Sequence, residues 1–432
     1  MSQRPQAVRG MHDILPQDTP LWQRLERELR QLLAEYHYRE IRLPVIEKTG
    51  VFTTSIGQGT DVVEKEMYSF PDRNGDSLTL RPEGTAGCVR AMVQHGLLQG
   101  HAVRVWYQGP MFRYERPQKG RQRQFHQTGV ELFGPPGPDA DAELVLLAAR
   151  LWRRLGLQGG LKLEINTLGN AESRAAYRQR LVAYFRAHES RLDEDSRRRL
   201  EINPLRILDS KNPEMQELIE QAPRITEALD EASLQHFNRF CAILDAAGIT
   251  WHHNPRLVRG LDYYNHTVYE WVTDQLGAQS AVCSGGRYDG LVERFGHKPV
   301  PATGFAMGME RLIELLRLRE MAGLDQAPHA YLVAVGVDET DLLPVAERMR
   351  DAMPGLRLEC NVAAGSFKAQ FKRADRSGAA VALVLGGDEL AAGRITVKPL
   401  RGQAEQQSCT MEHLPELLHQ YAHWKPAVDD GP

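Results

Sequence analysis

The chain has 432 residues, 42% hydrophobic and 25% charged, enough apolar material for real cores and a length that suits about three structural units. No window approaches the roughly 18 uninterrupted apolar residues of a spanning helix, and the polar start Met1-Ser2-Gln3-Arg4-Pro5-Gln6 lacks a leader's apolar run, so a membrane protein is excluded and secretion is disfavoured. Five single cysteines (Cys88, Cys241, Cys283, Cys360, Cys409) without a CxxC pair point to a reducing, cytoplasmic setting, and a net charge of −3 leaves any nucleic-acid contact to local patches.

The first predicted element is a helix from about Thr19 to Tyr36. Asp18 or Thr19 is placed to cap it, Pro20 suits its first turn, and Leu21, Leu25, Leu29, Leu32, Leu33 and Tyr36 recur at helical spacing. A strand-like run, Tyr38 to Ile46, contains Pro44, which donates no ladder hydrogen bond and so suits an edge or a bulge. Such an edge is often covered by a partner subunit. Val103 to Phe133 reads as a β-hairpin around the polar loop Arg116-Pro117-Gln118-Lys119-Gly120-Arg121. From about Asn170 to Asp245 the sequence is helical and very polar, an inserted or appended module. β character returns after Trp251, through Tyr263-Tyr264 to Val272, and a helix begins near Met309. Gly323 to Pro328 is linker-like. Beyond it a strand (Tyr331 to Val337), a helix (Leu342 to Met353) and the apolar run Val381 to Leu385 have the texture of a small α/β domain with a buried sheet.

The hairpin is the densest in chemistry. Between Met111 and Gln127, Arg113, Arg116, Lys119, Arg121 and Arg123 stand against a single acid, Glu115. Strand alternation predicts Arg113 and Glu115 on one face, and Gln127, Gly129, Glu131 and Phe133 on one face of the return strand. If the polar faces coincide, the charge is too costly to bury unless paired, which suits a ligand site; the alternative is a solvated hairpin with a salt bridge. In Thr303-Gly304-Phe305-Ala306-Met307-Gly308-Met309-Glu310-Arg311, spaced glycines admit a close approach to the backbone. Arg311 then falls in a first helical turn, an end that prefers anions. Either it meets a bound phosphate there, or it pairs with Glu314 one turn on. Leu257 to Asn265 and Ser284 to Gly290 set tyrosines beside glycines and an arginine, as in a small polar pocket with aromatic walls or in a Tyr-rich core strand with a glycine turn. Leu80-Arg81-Pro82-Glu83-Gly84-Thr85 is a turn presenting Glu83. There is no GxxxxGK[ST], no GxGxxG after a strand, no HExxH and no GxSxG, and His252-His253 and His266 lack metal-ligand spacing.

Together these segments resemble class II aminoacyl-tRNA synthetases and, within that class, the histidyl-tRNA synthetase family, over nearly the whole chain. Phe112-Arg113-Tyr114-Glu115 with its arginine-bearing loop and Phe125 resembles motif 2. Gly304 to Arg311 resembles motif 3, with Ala306 where the class pattern has glycine, and Arg39 to Ile46 with Pro44 resembles motif 1. Leu257 to Asn265 and Ser284 to Gly290 resemble the two histidine-specific motifs, and Arg9-Gly10-Met11-His12-Asp13 and Asn203 to Lys211 also fit.

The resemblance implies an α+β chain: an antiparallel class II sheet flanked by helices over residues 1–325, a helical insertion at about 170–250, and a C-terminal mixed α/β anticodon-binding domain over 326–432, working as a homodimer. It implies ATP-dependent ligation of L-histidine to its tRNA through a histidyl-adenylate, with Mg²⁺ arriving with ATP and no fixed protein cage for the metal. By resemblance, Arg113 holds the α-phosphate and carboxylate region and Arg259 lies across the α-phosphate. Arg121 and Arg311 hold the γ-phosphate of a bent ATP. Phe125 stacks on adenine with Arg311 on its other face, Glu115 helps read the base, and Gln127 also belongs to the ATP set. Glu83 meets the substrate ammonium with Thr85 and Gln127 nearby. Glu131 and Tyr264 satisfy the two imidazole nitrogens, and Tyr263 and Tyr288 shape the pocket. A site that bonds both ring nitrogens rejects analogues lacking them, so no editing domain is implied.

Residues 326–432 carry 11 Lys+Arg against 14 Asp+Glu, so bulk charge gives the RNA reading no support. Lys368, Lys372, Arg373 and Arg376 recur at helical spacing, either to meet phosphates or as a solvated face. The loop from Gln118 to Arg123 is expected to meet the tRNA acceptor end. The rival reading is the catalytically silent paralogue that accompanies ATP phosphoribosyltransferase. Such proteins typically lack the anticodon domain and lose parts of the histidine and ATP motifs, whereas Arg113, Arg259, Arg311 and a full C-terminal region are all present here.

Overall fold

Five leucines of the first apolar stripe, Leu21, Leu25, Leu29, Leu32 and Leu33, are buried on helix α1 (Thr19–Glu35). Asp18 occupies the N-cap but does not cap; its carboxylate pairs with Arg317 at 2.6 Å. The computed structural model describes residues 4–57, 60–117, 120–210, 212–277, 281–319, 327–362 and 365–425. After α1 come β1 (Arg39–Glu40), β2 (Ile46–Lys48), α2 (Thr49–Ile56), β3 (Tyr68–Pro71), β4 (Ser77–Leu80), α3 (Thr85–Gln94) and the hairpin of β5 (Val103–Phe112) and β6 (Gln124–Phe133).

The single strand expected over Tyr38 to Ile46 is instead two short pieces in different sheets. β1 pairs in parallel with β5, and β2 joins a three-stranded sheet of order β2-β4-β3. Pro44 and Arg81 together explain the break. Pro44 has no N–H to give, and Arg81 takes the neighbouring carbonyls, Leu43 O through its guanidinium at 3.0 Å and Val45 O through its backbone N–H at 2.9 Å.

Next come α4 (Pro138–Arg154), β7 (Lys162–Thr167) and the helices α5 (Ala171–Ala187), α6 (Glu194–Ile202), α7 (Gln216–Glu220) and α8 (Glu231–Ala246). The polar appearance of this helical stretch hides a core of its own, with Tyr177, Leu181, Phe185, Ile207, Met215 and Leu218 buried together. β8 (Trp251–His253), β9 (Asn265–Val272), β10 (Ala281–Arg287), α9 (Leu291–Arg294), β11 (Ala302–Gly308) and α10 (Met309–Arg317) follow. The main sheet has eight strands in the order β1-β5-β6-β11-β10-β9-β7-β8. It is parallel only at its two edges, β1 with β5 and β7 with β8, and antiparallel elsewhere. On one face α3 packs Cys88, Val89 and Met92 against Tyr107 and Met111.

One polar group ties this fold together from inside. Asp141 of α4 and Arg287 at the end of β10 are both fully buried and 2.9 Å apart. His236 of α8 adds a 2.8 Å contact to Asp141, and the carbonyls of Pro135 and Gly137 and the Asp289 carboxylate accept from Arg287. A buried pair depends on its further hydrogen bonds; here they serve Arg287 and Asp141 Oδ2, while Asp141 Oδ1 has its ion pair with Arg287. Arg287 is therefore a core residue and does not line the pocket its sequence neighbourhood suggested.

The chain divides between residues 321 and 322 into two compact units. The second comprises β12 (Ala330–Val335), α11 (Glu339–Ala352), β13 (Leu358–Cys360), α12 (Phe367–Arg376), β14 (Val381–Gly386), α13 (Gly387–Ala391), β15 (Arg394–Pro399), β16 (Gln407–Thr410) and α14 (Leu414–Ala422). Its sheet runs β13-β12-β14-β15-β16, parallel through β14 and antiparallel beyond, with the apolar run at Val381 to Leu385 as the buried centre. Lys368, Lys372, Arg373 and Arg376 share α12, and Arg373 donates to Asn361 at 2.9 Å as part of the unit's own framework. Residues 323–326 of the expected linker lie outside the described residues. Among the described residues no helix is long and apolar enough to cross a membrane.

Candidate active site

Chain segments far apart in sequence wall one cleft of about 320 Å³ in the first unit. All thirteen residues expected at a site line it: Glu83, Thr85, Arg113, Glu115, Arg121, Phe125, Gln127, Glu131, Arg259, Tyr263, Tyr264, Tyr288 and Arg311.

One part of the cleft is acidic, aromatic and buried. The Glu83 carboxylate accepts from the backbone N–H groups of Thr85 at 2.7 Å and Ala86 at 2.9 Å, donors that the first turn of α3 leaves free. Burial raises its pKa, and those N–H groups pull the other way. Glu131, on β6, accepts from Tyr288 Oη at 2.5 Å on one oxygen, and from Thr85 Oγ1 at 2.8 Å and Tyr107 Oη at 3.0 Å on the other. Burial outweighs these hydroxyls and pushes the Glu131 carboxyl from 4.5 up to about 8. Tyr263, Tyr264 and Tyr288 close this part, with ring centroids 4.6 to 6.4 Å apart.

Two glycines make the arrangement possible. Gly304 of β11 lies opposite Glu131 in the ladder, and a Cβ there would stand 1.7 Å from a Glu131 oxygen. A Cβ at Gly129 would stand 2.1 Å from the Tyr107 ring. The close approach that spaced glycines foretold is thus made, at Gly304, by a side chain of the protein itself.

The other part is rich in guanidinium. Arg259 pairs with Glu270 of β9 and lies 5.6 Å over the Tyr264 ring. Burial raises the Glu270 carboxyl, and Arg259 opposes that shift. Arg113 follows the last residue of β5, so strand alternation does not place it or Glu115. Its backbone N–H donates to Arg123 O at 2.9 Å, its Nε donates to Pro82 O at 2.8 Å, and its guanidinium sits 5.4 Å over the Phe125 ring. Arg121 pairs with Glu115 at 2.6 Å. Arg311 of α10 donates to the carbonyls of Gly120 and Ala281, while Glu314 is held by Arg317 at 2.5 Å. Burial, and then neighbouring Arg121, hold the Arg311 pKa down. Three polar atoms here, Arg259 Nε, Gln127 Oε1 and the Glu115 Oε2 that is ion-paired with Arg121, are buried without a hydrogen-bond partner among the described residues. Such groups are costly unless something meets them, which marks this end as built for a polar ligand.

Sequence reasoning missed Glu270, Tyr107 and Glu310. Glu270 had a signal, as the one acid inside the apolar strand Thr267 to Val272. Tyr107 had none, because it reads as an ordinary strand aromatic. Glu310 accepts from the His126 backbone N–H at 2.9 and 3.0 Å and contacts His126 Nδ1 at 2.9 Å, which locks the start of α10 to β6. Gln118 and Lys119 of the hairpin loop, and Lys211, lie outside the described residues.

Comparison with known proteins gives the family. A family model described as histidyl-tRNA synthetase matches residues 10–312, and one described as anticodon binding domain matches residues 329–421. The histidine–tRNA ligase of Alkalilimnicola ehrlichii is 59% identical over 418 residues, covering 97% of each chain. That of Halorhodospira halophila is 58% identical over 407 residues, covering 94% of this chain and 96% of the relative. The crystal structure of apo S. aureus histidyl-tRNA synthetase superposes with a TM-score of 0.79 at 34% identity, covering 97% of this chain and all of the other. The chain belongs to the histidyl-tRNA synthetase family.

Proposed function

We propose that this cleft joins histidine to ATP as histidyl-adenylate and then passes the histidyl group to the terminal ribose of tRNA. Ligation of histidine to tRNA is the reaction of the family, and this chain is a histidine–tRNA ligase. The single observation that carries the site reading is that Arg113, Arg259 and Arg311, from three distant stretches, border one cleft with the buried carboxyls Glu83 and Glu131.

In the first step the histidine carboxylate attacks the α-phosphorus and pyrophosphate leaves. Charge builds on phosphoryl oxygens, so stabilisation must come from cations held in place beforehand. Arg113 and Arg259 do this at the α-phosphate, each steadied by a partner of its own, the Pro82 carbonyl and Glu270. Arg121 and Arg311 take the γ-phosphate. Phe125 stacks on adenine and Glu115 reads the base, with Gln127 beside them. Glu83 and Thr85 receive the ammonium. Glu131 and Tyr264 meet the imidazole nitrogens, with Tyr263 and Tyr288 as walls; near neutral pH the Glu131 carboxyl has both a donating and an accepting form within reach.

Among the described residues no three His, Cys, Asp or Glu side chains are grouped as metal ligands. Glu115 and Glu270 line the arginine part singly, each paired with an arginine. Such singly placed carboxylates, with Glu310 also at the cleft, fit an Mg²⁺ that would take most of its ligands from phosphate and water. When bound, the ion would neutralise charge on the departing pyrophosphate.

The catalytic domain then spans 1–325, with its insertion at about 170–250, and residues 326–432 read the anticodon, α12 offering Lys368, Lys372 and Arg376 to phosphates. A homodimer is supported by the short edge strand β1 and by Ile46 and Phe70, both exposed on the three-stranded sheet. Free cysteines suit a reducing cytoplasm. The test is exchange of labelled pyrophosphate into ATP: the purified chain should require histidine and ignore other amino acids. No histidine-dependent exchange would favour the silent regulatory paralogue.

A further inference from the structure

Residues 257–264, which carry Arg259, Tyr263 and Tyr264, have no regular secondary structure, so their shape depends on what holds their backbone. Three ties come from the core: Asn166 donates to Leu257 O at 3.0 Å, the Asp262 N–H donates to Ile56 O at 3.1 Å, and Arg294 donates to Asp262 O at 3.5 Å. Others come from the helical insertion. Arg174, in the first turns of α5, reaches the Tyr264 carbonyl oxygen at 2.5 Å, and Asn203, just after α6, donates to the Asp262 carboxylate at 2.5 Å. Arg174, Asn203, Asp262 and Tyr264 all border a second cavity on this side of the loop, distinct from the cleft but sharing Arg259 and Tyr264 with it. A charge-assisted hydrogen bond to a backbone carbonyl restrains one peptide plane, here the one that leads from Tyr264 into β9.

We propose that Arg174 is a positioning residue for the amino-acid site, through which the placement of the helical insertion governs affinity for histidine. The proposal rests on Tyr263 and Tyr264 serving the histidine pocket. It is tested by steady-state pyrophosphate exchange on full-length variants. In Arg174→Met the histidine KM should rise about tenfold, as expected for loss of a charged hydrogen bond, while kcat and the ATP KM stay within about twofold. Arg174→Lys, whose ammonium still reaches the carbonyl, should recover most of the loss. Asn203→Ala should raise the histidine KM in the same direction. Arg178→Ala, one turn along α5 at the same cavity but bonded to Glu201 O of the insertion at 3.1 Å instead of to the loop, should leave it unchanged. An unchanged histidine KM in Arg174→Met, an equal rise in both KM values, or no gain from lysine over methionine would overturn the proposal. If Arg174→Met does not fold, an Asn203→Ala enzyme with the parental histidine KM does so instead. Lack of histidine-dependent exchange in the parent chain would strike the reading of the cleft, a result separate from any of these.

Discussion

Glu131 places both its oxygens among three hydroxyls in a buried site, and burial carries its carboxyl from 4.5 to about 8. Between those values the folded chain keeps a proton that the unfolded chain has released. By linkage, this group's contribution to stability is greatest below the window and falls as pH rises through it. Glu131→Gln should therefore gain on the parent enzyme as pH rises from about 5 to about 8, read as urea midpoints; parallel pH curves would show that the carboxyl is ionised throughout. Glu131→Ala should raise the histidine KM far more than the ATP KM in pyrophosphate exchange, and equal rises would remove Glu131 from the histidine pocket. Return-strand alternation showed which residues share a face with Glu131, and its place in an amino-acid pocket was implied by the family resemblance. The roles of Arg81 and Glu270 were not legible. Their partners, the carbonyls of Leu43 and Val45 and the guanidinium of Arg259, lie across loops, where no periodicity speaks.

At the scale of elements, β11 is cut to fit its neighbour. Gly304→Ala would place a methyl group in the Glu131 carboxylate, so the change should cost about 1–3 kcal/mol of stability and weaken histidine binding. Gly308→Ala, whose Cβ would come no nearer than 3.8 Å to Arg311, should melt close to the parent, and equal losses in both variants would contradict the steric account. Arg287→Met leaves Asp141 charged and buried beside only His236, and should cost about 3–5 kcal/mol by chemical denaturation. Helix α1 was readable because its period of 3.6 persists over 17 residues, and the hairpin because two β-type runs flank a polar loop with Pro117 and Gly120. The run from Tyr38 to Ile46 misled because its alternation looks like a strand, while Arg81, forty residues on, captures its carbonyls. The insertion read as a very polar helical module because each helix shows only a narrow apolar face, and those faces meet only in three dimensions.

For the whole molecule, the change of texture after residue 328 foretold a small α/β domain with a buried sheet; the five strands of that sheet are parallel through β14 and antiparallel beyond. Removing residues 326–432 should weaken tRNA charging while sparing adenylate formation; undiminished charging by the truncated chain would refute the anticodon role of that unit. The convergence of charge in the first unit was beyond any local reading. Arg113, Arg259 and Arg311 show individually only as arginines near glycines or aromatics, and only the folding of the eight-stranded sheet brings them to one cleft. The central claim is that two of them, Arg113 and Arg259, stabilise the charge that forms on the α-phosphoryl oxygens, with Arg311 at the γ-phosphate. Single-turnover adenylate formation in Arg259→Ala measures this most directly. The rate should fall about 10²–10³-fold at saturating histidine and ATP, the usual loss on removing one preorganised charge stabiliser. A rate within about threefold of the parent enzyme would contradict the account, because uniform binding, not transition-state stabilisation, would then be all that Arg259 supplies.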